Sequence, residues 1–404
     1  MSWSPDQETA LKRIDTWLKD GAPGGRFSLG GYAGTGKTTL AKHIAEAFAG
    51  EVKFAAFTGK AASVLRSKGC PNATTIHKLI YQPKGSIGEH EIEELQGLIQ
   101  GEALKTDPDE SKMRTWRLEL ERKTADSNAV FERKDECEIQ EADLVIVDES
   151  SMVDRRMGND LEHFDIPILY LGDPGQLPPV KGKSHLGQND YDYVLTEIHR
   201  QAKDSPIIWL ANEVREGRSV AFGSHGDGLV ELIPKAEWDM QRVVDADQVL
   251  TGMNMSRHRI TRNMRSFIGF NQVFPLAGDK LICQKNDHDL GVLNGVSCYA
   301  MREGTKKGNV IFLDVDYDGR PLKGKICDPG HFQEAYGERT HFPRGDGIQH
   351  FGYGYAVTVH KAQGSQWNHV VVADDRMRAN DREQRARWLY TAFTRAEERL
   401  TYYA

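Results

Sequence analysis

Gly31-Tyr32-Ala33-Gly34-Thr35-Gly36-Lys37-Thr38-Thr39 is the stretch whose reading decides the fold. It satisfies G-x-x-x-x-G-K-[ST] through Gly31, Gly36, Lys37 and Thr38. Its flanks agree. Phe27 and Leu29 make a short apolar run before it, and Leu40, Ile44, Ala47 and Phe48 recur at helical spacing after it. Strand, glycine loop, helix is the layout in which backbone N–H groups at Gly34, Thr35 and Gly36 curl around phosphates at a helix N-terminus. Lys37 then reaches the terminal phosphate oxygens, and the adjacent hydroxyls of Thr38 and Thr39 complete the cradle, with Thr38 ligating Mg²⁺. A glycine-rich turn with a chance lysine does not account for both flanks.

Upstream, Ser4 or Asp6 is placed to cap a helix carrying Leu11, Ile14 and Leu18, with Gln7 in its first turn. A primary amide complements the N6/N7 edge of adenine. Gln7 is therefore either a surface glutamine or a base reader, and the glycine loop 24 residues on favours the second. Downstream, the strand Val52 to Phe57 runs into Thr58-Gly59-Lys60, and Ala73 to Lys78 contributes Thr75 and His77. Small hydroxylated and basic groups at strand ends lie on the rim where open α/β sheets bind ligands. Thr58, Lys60, Thr75 and His77 suit a phosphodiester backbone; Thr58 and Thr75 serve equally as helix caps.

The apolar strand Ala142 to Val147 ends in Asp148-Glu149, about 110 residues after the loop. Asp148 would hold Mg²⁺ through its hydration shell, and Glu149 would orient and deprotonate an attacking water. Gly172 to Val180 is a Gly/Pro-rich turn that fixes Gln176 where its amide reaches the γ-phosphate or its water, unless it is merely a tight loop. Between them, residues 82–138 interrupt the strand-helix alternation. Ile92, Leu95 and Ile99 suggest a helix; Trp116, Leu118 and Leu120 alternate, and Ala129 to Phe131 forms a second extended piece. The segment reads as an insertion with a β-hairpin, whose Trp116 or Phe131 either faces a nucleic acid or packs the hairpin itself.

At 404 residues, 39% hydrophobic and 27% charged, the chain has the makeup of a soluble protein of two or three domains. No apolar run approaches the roughly 18 residues of a membrane span, and the N-terminus lacks a signal-peptide pattern, so no membrane partner and a cytoplasmic location are expected. The five cysteines show neither metal-ligand nor disulfide spacing and are expected as buried thiols. A net charge of -7 argues against general coating of duplex but leaves a local basic groove open.

In their order, GYAGTGKTT, FTGKAA, TTIHK, VDESS and GDPGQLPPV resemble the motifs of superfamily 1 DNA helicases, in the 5′-to-3′ branch that is RecD/Dda-like. TEIHRQ at Thr196, YAVTVHKAQGSQW at Tyr355 and WLYTAFTRA at Trp388 extend the resemblance over nearly the whole chain. It implies an α/β fold of two tandem RecA-like P-loop NTPase domains, at 1–195 and 196–404, with ATP between them. The hairpin insertion at about 82–138 becomes the candidate wedge, and an SH3-like β insertion, a small barrel, is implied at about 297–350. Arg200 and Arg395 are implied as arginine fingers, and Gly364 and Gln366 as a turn near the nucleotide. Asn254, Thr358, His360, Lys361 and Ser365 would grip single-stranded DNA with the four rim residues of the first half, and Arg257, Arg259, Arg262 and Arg265 resemble a DNA-contacting cluster. The implied activity is an ATP-dependent DNA helicase that moves 5′ to 3′ on single-stranded DNA and opens single-strand/duplex junctions, working as a monomer in a bacterial or phage-infected cell. A translocase that strips proteins without processive unwinding, an ATP-regulated nucleic-acid-binding module and an RNA-directed motor are the alternatives. A small-molecule kinase would leave the second half without a task.

Overall fold

The structure, a computed structural model, describes residues 3–83, 109, 112, 115–116, 131–179, 183–187, 189–198, 204–287, 290–337, 348–375 and 382–404. The chain forms two compact units, Met1–Thr75 with Ala142–Ala404, and Ile76–Glu141.

In the larger unit the helix Pro5–Lys19 leads to β1 (Arg26–Gly31), the helix Lys37–Ala47, β2 (Val52–Ala56), the helix Gly59–Ser67 and β3 (Thr74–Thr75). The smaller unit then contributes β4 (Tyr81–Pro83), paired antiparallel with β5 (Phe131–Arg133). The extended setting expected for Trp116 is corrected here. Thr115 and Trp116 are helical, and the strand at Phe131 takes its partner from Tyr81 to Pro83. Trp116 stands among Arg, Leu and Glu, whose helix propensity outweighs a short alternation. Leu118, Leu120 and the Ile92–Ile99 segment lie outside the described residues.

Back in the larger unit, β6 (Leu144–Asp148), β7 (Ile168–Gly172) and β8 (Tyr193–Leu195) complete a six-stranded parallel sheet of order β3-β2-β6-β7-β1-β8. Its central strands are buried along nearly their whole length, as they must be when both faces are covered. Register sets Ala56 against both Thr75 and Asp148, so the chain leaves β2, β3 and β6 along one carboxyl edge, the edge from which β1 feeds the glycine loop.

After the helix Pro206–Arg215 come β9 (Gly223–His225), β10 (Val230–Ile233), β11 (Gln248–Thr251) and the helix Asn254–Phe267. An antiparallel sheet follows: β12 (Lys280–Cys283), β13 (Ser297–Ala300), β14 (Thr305–Lys307), β15 (Val310–Tyr317), β16 (Arg320–Cys327) and β17 (Phe351–Tyr353). Strict alternation of burial along β15 shows that one face is packed. A bridge between Cys327 and Gln349 returns β16 to the chain entering β17, so the strands close on themselves. This ring begins at Lys280 and ends at Tyr353, wider than the 297–350 expected, because β12 and β17 pair with each other. Finally β18 (Ala356–Thr358), β19 (Trp367–Ala373) and β20 (Ala396–Tyr403), with the helix Arg382–Phe393 before β20, complete a second six-stranded sheet of order β18-β11-β19-β20-β10-β9, parallel except at β9. No helix among the described residues is long and apolar enough to cross a membrane.

One expected DNA contact is instead part of this core. Arg265 is fully buried, and its Nε and Nη2 each meet a carboxylate oxygen of Asp279 at 2.9 Å. The Tyr355 hydroxyl donates to the same carboxylate, and the guanidinium lies 4.2 Å from the centroid of Tyr353. The resemblance had grouped Arg265 with Arg257, Arg259 and Arg262, but its side chain points inward, where a buried ion pair satisfies it. Arg265→Ala removes one partner of a buried ion pair, so urea unfolding is expected to show a loss of about 3–5 kcal/mol; a midpoint within error of the parent chain would contradict this role.

Candidate functional site

The glycine loop has the backbone that its sequence demands. Gly34 and Gly36 adopt φ of 80° and 81°, in the left-handed region that other residues seldom enter. A Cβ on Gly31 would come within 2.7 Å of Thr35 Oγ1. Gly36 caps the helix Lys37–Ala47 without any side-chain acceptor, so the N–H groups of the first turn are available to an anion. Lys37 Nζ donates to the carbonyls of Gly31 at 2.5 Å and Tyr32 at 3.2 Å, which seats the ammonium inside the loop.

Gln7 braces this loop. It is buried, its Nε2 donates to the Thr35 carbonyl at 3.0 Å, and its Oε1 accepts from Ser4 N–H at 3.1 Å, closing a capping box. Both ends of the amide are thus used within the fold, and Gln7 is not among the residues lining the cavity beside the loop.

That cavity encloses about 560 Å³ between loops of the two parallel sheets. From the first come Gly34, Gly36, Lys37, Thr38, Thr39, Asp148, Glu149 and Gln176; from the second come Gly364, Gln366 and Arg395. Glu149 has φ of 55°, a strained setting for a non-glycine residue that aims its side chain off the strand axis. Its N–H donates to Asp148 Oδ1 at 2.8 Å, and its Oε1 lies 4.0 Å from Arg395 Nη1. Burial raises the Glu149 carboxyl above the usual range; Arg395 pulls it back, and Asp148 pushes it up again. Burial likewise raises Asp148, opposed by the Glu149 N–H and by Lys37 and Lys68. Gln176 Oε1 is buried with no hydrogen-bond partner, an acceptor left over at the cavity wall.

Arg395 is itself held firmly. It donates to the carbonyls of Thr391 at 3.1 Å and Ser365 at 3.3 Å, and to Thr394 Oγ1 at 3.1 Å. A second link joins the halves. The Tyr390 hydroxyl donates to Asp173 Oδ2 at 2.8 Å and accepts from the Ala33 N–H of the glycine loop at 2.7 Å. Leu177 N–H donates to Thr391 Oγ1, and Gln363 Nε2 to the Leu177 carbonyl.

The residues expected on DNA divide into surface and interior. Asn254 is exposed at the start of its helix, and Lys60, His360 and Lys361 are half-buried. Thr58 and Thr358 cap short helices, accepting from Ala61 and Lys361 N–H. A Cβ on Gly364 would lie 2.9 Å from Thr58 Oγ1, so the rim of the first sheet touches the turn of the second. His77 lies in the smaller unit, in the helix Ile76–Ile80, with its ring 5.4 Å from that of Tyr81. Thr75 is buried, and Ser365 is 4% exposed behind Arg395 rather than on a surface that a strand could touch. Arg200 lies outside the described residues. Asp173, Lys42 and Lys68 line the cavity and Tyr390 bonds Asp173, none of them having been expected there. Lys42 had a signal, standing one helical turn from Thr38; Lys68 had none.

Residues 4–228 match a family model described as an AAA domain, and residues 353–402 match a UvrD-like helicase C-terminal domain. The chain is 28% identical over 406 residues to the ATP-dependent RecD2 DNA helicase of Deinococcus radiodurans, covering 92% of this chain and 46% of that protein. It is 28% identical over 206 residues to the ATP-dependent DNA helicase dda of Enterobacteria phage T4, covering 47% of this chain and 38% of that one. The chain thus spans less than half the length of either curated relative. The crystal structure of Pif1 helicase from Bacteroides in complex with ADP-AlF3 and ssDNA aligns with a TM-score of 0.53 at 17% identity, covering 100% of this chain and 93% of that one. Pif1 helicase from Candida albicans aligns at 0.50 and 18%, covering 100% and 94%. At these identities the likeness is one of fold, two tandem RecA-like domains.

Tyr390→Phe keeps the ring and removes the hydroxyl, leaving the Ala33 N–H and one Asp173 oxygen unpartnered. A loss of about 1–3 kcal/mol in urea unfolding, with an unchanged m-value, is expected. An unmoved midpoint would show the bridge to be indifferent.

Proposed function

We propose that this chain, which belongs to the AAA-domain family and within it to the superfamily 1 helicases of the RecD, Dda and Pif1 type, is an ATP-dependent DNA helicase that moves 5′ to 3′ along single-stranded DNA and unwinds the duplex ahead. One observation carries the proposal: Lys37, Thr38, Asp148 and Glu149 share a single cavity with Gly364, Gln366 and Arg395, so a triphosphate bound there touches both parallel sheets. The curated relatives named above are ATP-dependent DNA helicases, and the Bacteroides relative was crystallised with ADP-AlF3 and ssDNA.

The donor set fits the metal that accompanies ATP. The Thr38 hydroxyl and the Asp148 carboxylate are hard oxygen donors lining the phosphate end of the cavity, and they would hold Mg²⁺. When bound, Mg²⁺ neutralises charge on the phosphates. The chain's own groups do the rest. Loop N–H groups and Lys37 hold the phosphates, the Gln176 Oε1 acceptor positions the attacking water, and Glu149 takes its proton. Arg395 faces the charge that develops on the γ-phosphate from the opposite wall, and Arg200 is its proposed companion.

Because catalysis needs both walls, ATP binding draws residues 1–195 and 196–404 together and hydrolysis releases them. Thr58 and Lys60 on one side and Asn254, Thr358, His360 and Lys361 on the other grip the DNA backbone in alternation, without regard to base sequence, and His77 is a further proposed contact. Residues 82–138 are the proposed wedge. The cavity is completed within one chain, which supports a monomer as the working unit.

Lys37→Ala is expected to abolish phosphate release, and Arg395→Ala to bind ATP while hydrolysing it at least about 100-fold more slowly. Arg395 lowers the Glu149 pKa, so its removal should also carry the acid limb of the rate profile to higher pH; an unchanged rate and profile would remove Arg395 from the reaction. Strand displacement with ATP on duplexes bearing only a 5′ or only a 3′ tail tests the whole reading. Unwinding of the 5′-tailed duplex alone is expected. Unwinding of the 3′-tailed one reverses the polarity, and DNA-stimulated ATPase without displacement leaves a protein-stripping translocase.

A further inference from the structure

Where the small barrel closes, three side chains converge that the ATP and DNA sites do not use. Asp328 follows β16, His331 lies in the helix Gly330–Ala335, and His350 directly precedes β17. The bridge at Cys327 and Gln349 brings these segments together, with Asp328 N–H donating to the Gln349 carbonyl at 2.9 Å and Gln349 N–H to that of Ile326 at 2.8 Å.

The geometry points to a site for a divalent transition metal of the Zn²⁺ class, ligated by Asp328 Oδ2, His331 Nε2 and His350 Nδ1. His331 Nε2 and His350 Nδ1 are 3.4 Å apart, His350 Nδ1 and Asp328 Oδ2 are 3.5 Å apart, and all three donors lie within 4.8 Å of one another. Bonds of about 2.0–2.1 Å in a tetrahedral shell place neighbouring ligands about 3.3–3.4 Å from each other. Two edges of the triangle are thus already at tetrahedral spacing.

Asp328 gives a second, independent indication. It is fully buried, and its two oxygens are treated differently. Oδ1 accepts from Gly330 N–H at 2.7 Å, the kind of outer hydrogen bond that orients a ligating carboxylate. Oδ2 is buried, has no hydrogen-bond partner and faces the two imidazoles. A buried carboxylate oxygen in that position is costly unless a cation meets it. Two imidazoles with one carboxylate suit Zn²⁺ and its neighbours rather than Mg²⁺ or Ca²⁺, which prefer all-oxygen shells. The adjacent thiol of Cys327 is directed to the Lys325 carbonyl and stays outside the set. Three protein ligands leave a fourth position for water or another donor, and the ion pins the exit of β16 to the start of β17. The site stands whether or not the chain is a helicase.

The experiment uses the full chain, untagged and stripped with a chelator, titrated with Co²⁺ by visible absorption and then with Zn²⁺ in competition. One ion per chain with the intense d–d bands of a tetrahedral site is expected. Asp328→Asn and His350→Gln should each weaken Zn²⁺ more than tenfold, and Zn²⁺ should raise the Tm of the parent chain but of neither variant. The His350 side chain is 21% exposed, so His350→Gln retains a folded protein if Asp328→Asn does not, and circular dichroism reports which are folded. The chain has 14 histidines. Uptake as tight in a folded variant as in the parent would place the ion elsewhere and overturn the site, as would failure of the parent chain to bind.

Discussion

The hydroxyl of Tyr390 is where the two parallel sheets come to depend on each other. It is buried, and it uses its donor on Asp173 and its acceptor on the Ala33 N–H, so a residue of the second sheet's helix completes both the glycine loop and the Gly172–Gln176 turn of the first. A phenol suits this position because it offers one donor and an acceptor at the end of a rigid ring. The ring is placed by an edge contact with Tyr32, whose own face carries the Arg215 guanidinium at 3.9 Å from its centroid. Thr391 and Gln363 fasten the next residue of the turn, Leu177, from the same side. Any shift of the helix Arg382–Phe393 must therefore strip or drag the glycine loop. In the proposed cycle this contact makes the state of the γ-phosphate felt by the second sheet.

The sequence made legible what depends on local pattern. Apolar runs ending in glycine or acid marked β1, β6 and β7, and the order of phosphate loop, Asp148-Glu149 and Gln176 placed three cavity elements in advance, since each needs its residue types at a strand end. What stayed hidden depends on partners distant in the chain. Arg265 looks like its neighbours until Asp279 is seen opposite it in the core. Gln7 and Ser365 were expected at a base and at a DNA backbone, yet both are buried, Gln7 with its amide donating to the Thr35 carbonyl and Ser365 with its own carbonyl accepting from Arg395. Tyr390 lay inside a quoted motif, but nothing in WLYTAFTRA says which hydroxyl crosses the cleft. The separation of His350 from Asp328 and His331 matches no familiar metal spacing; only the strand bridge at Gln349 closes it.

Two adjacent acids in one cavity raise an electrostatic question that the backbone helps to answer. Asp148 continues β6, whereas Glu149 turns off it through a left-handed residue, a setting that costs about 1–3 kcal/mol. The turn sends the two carboxylates to different neighbours. Asp148 stays near Lys37 and Lys68, and Glu149 is carried toward Arg395. At 4.0 Å the Glu149–Arg395 pair is too long for a hydrogen bond, and the guanidinium directs its N–H groups to Thr391, Ser365 and Thr394 instead. In the proposed reaction that separation matters, because Glu149 is to act as a base. A close bidentate pair would occupy the carboxylate's lone pairs and depress its proton affinity. A fixed cation one step away steadies the charge while leaving an oxygen free to accept a proton from water. Arg395 is thus the foremost neighbour lowering the Glu149 carboxyl, against burial and Asp148, which raise it.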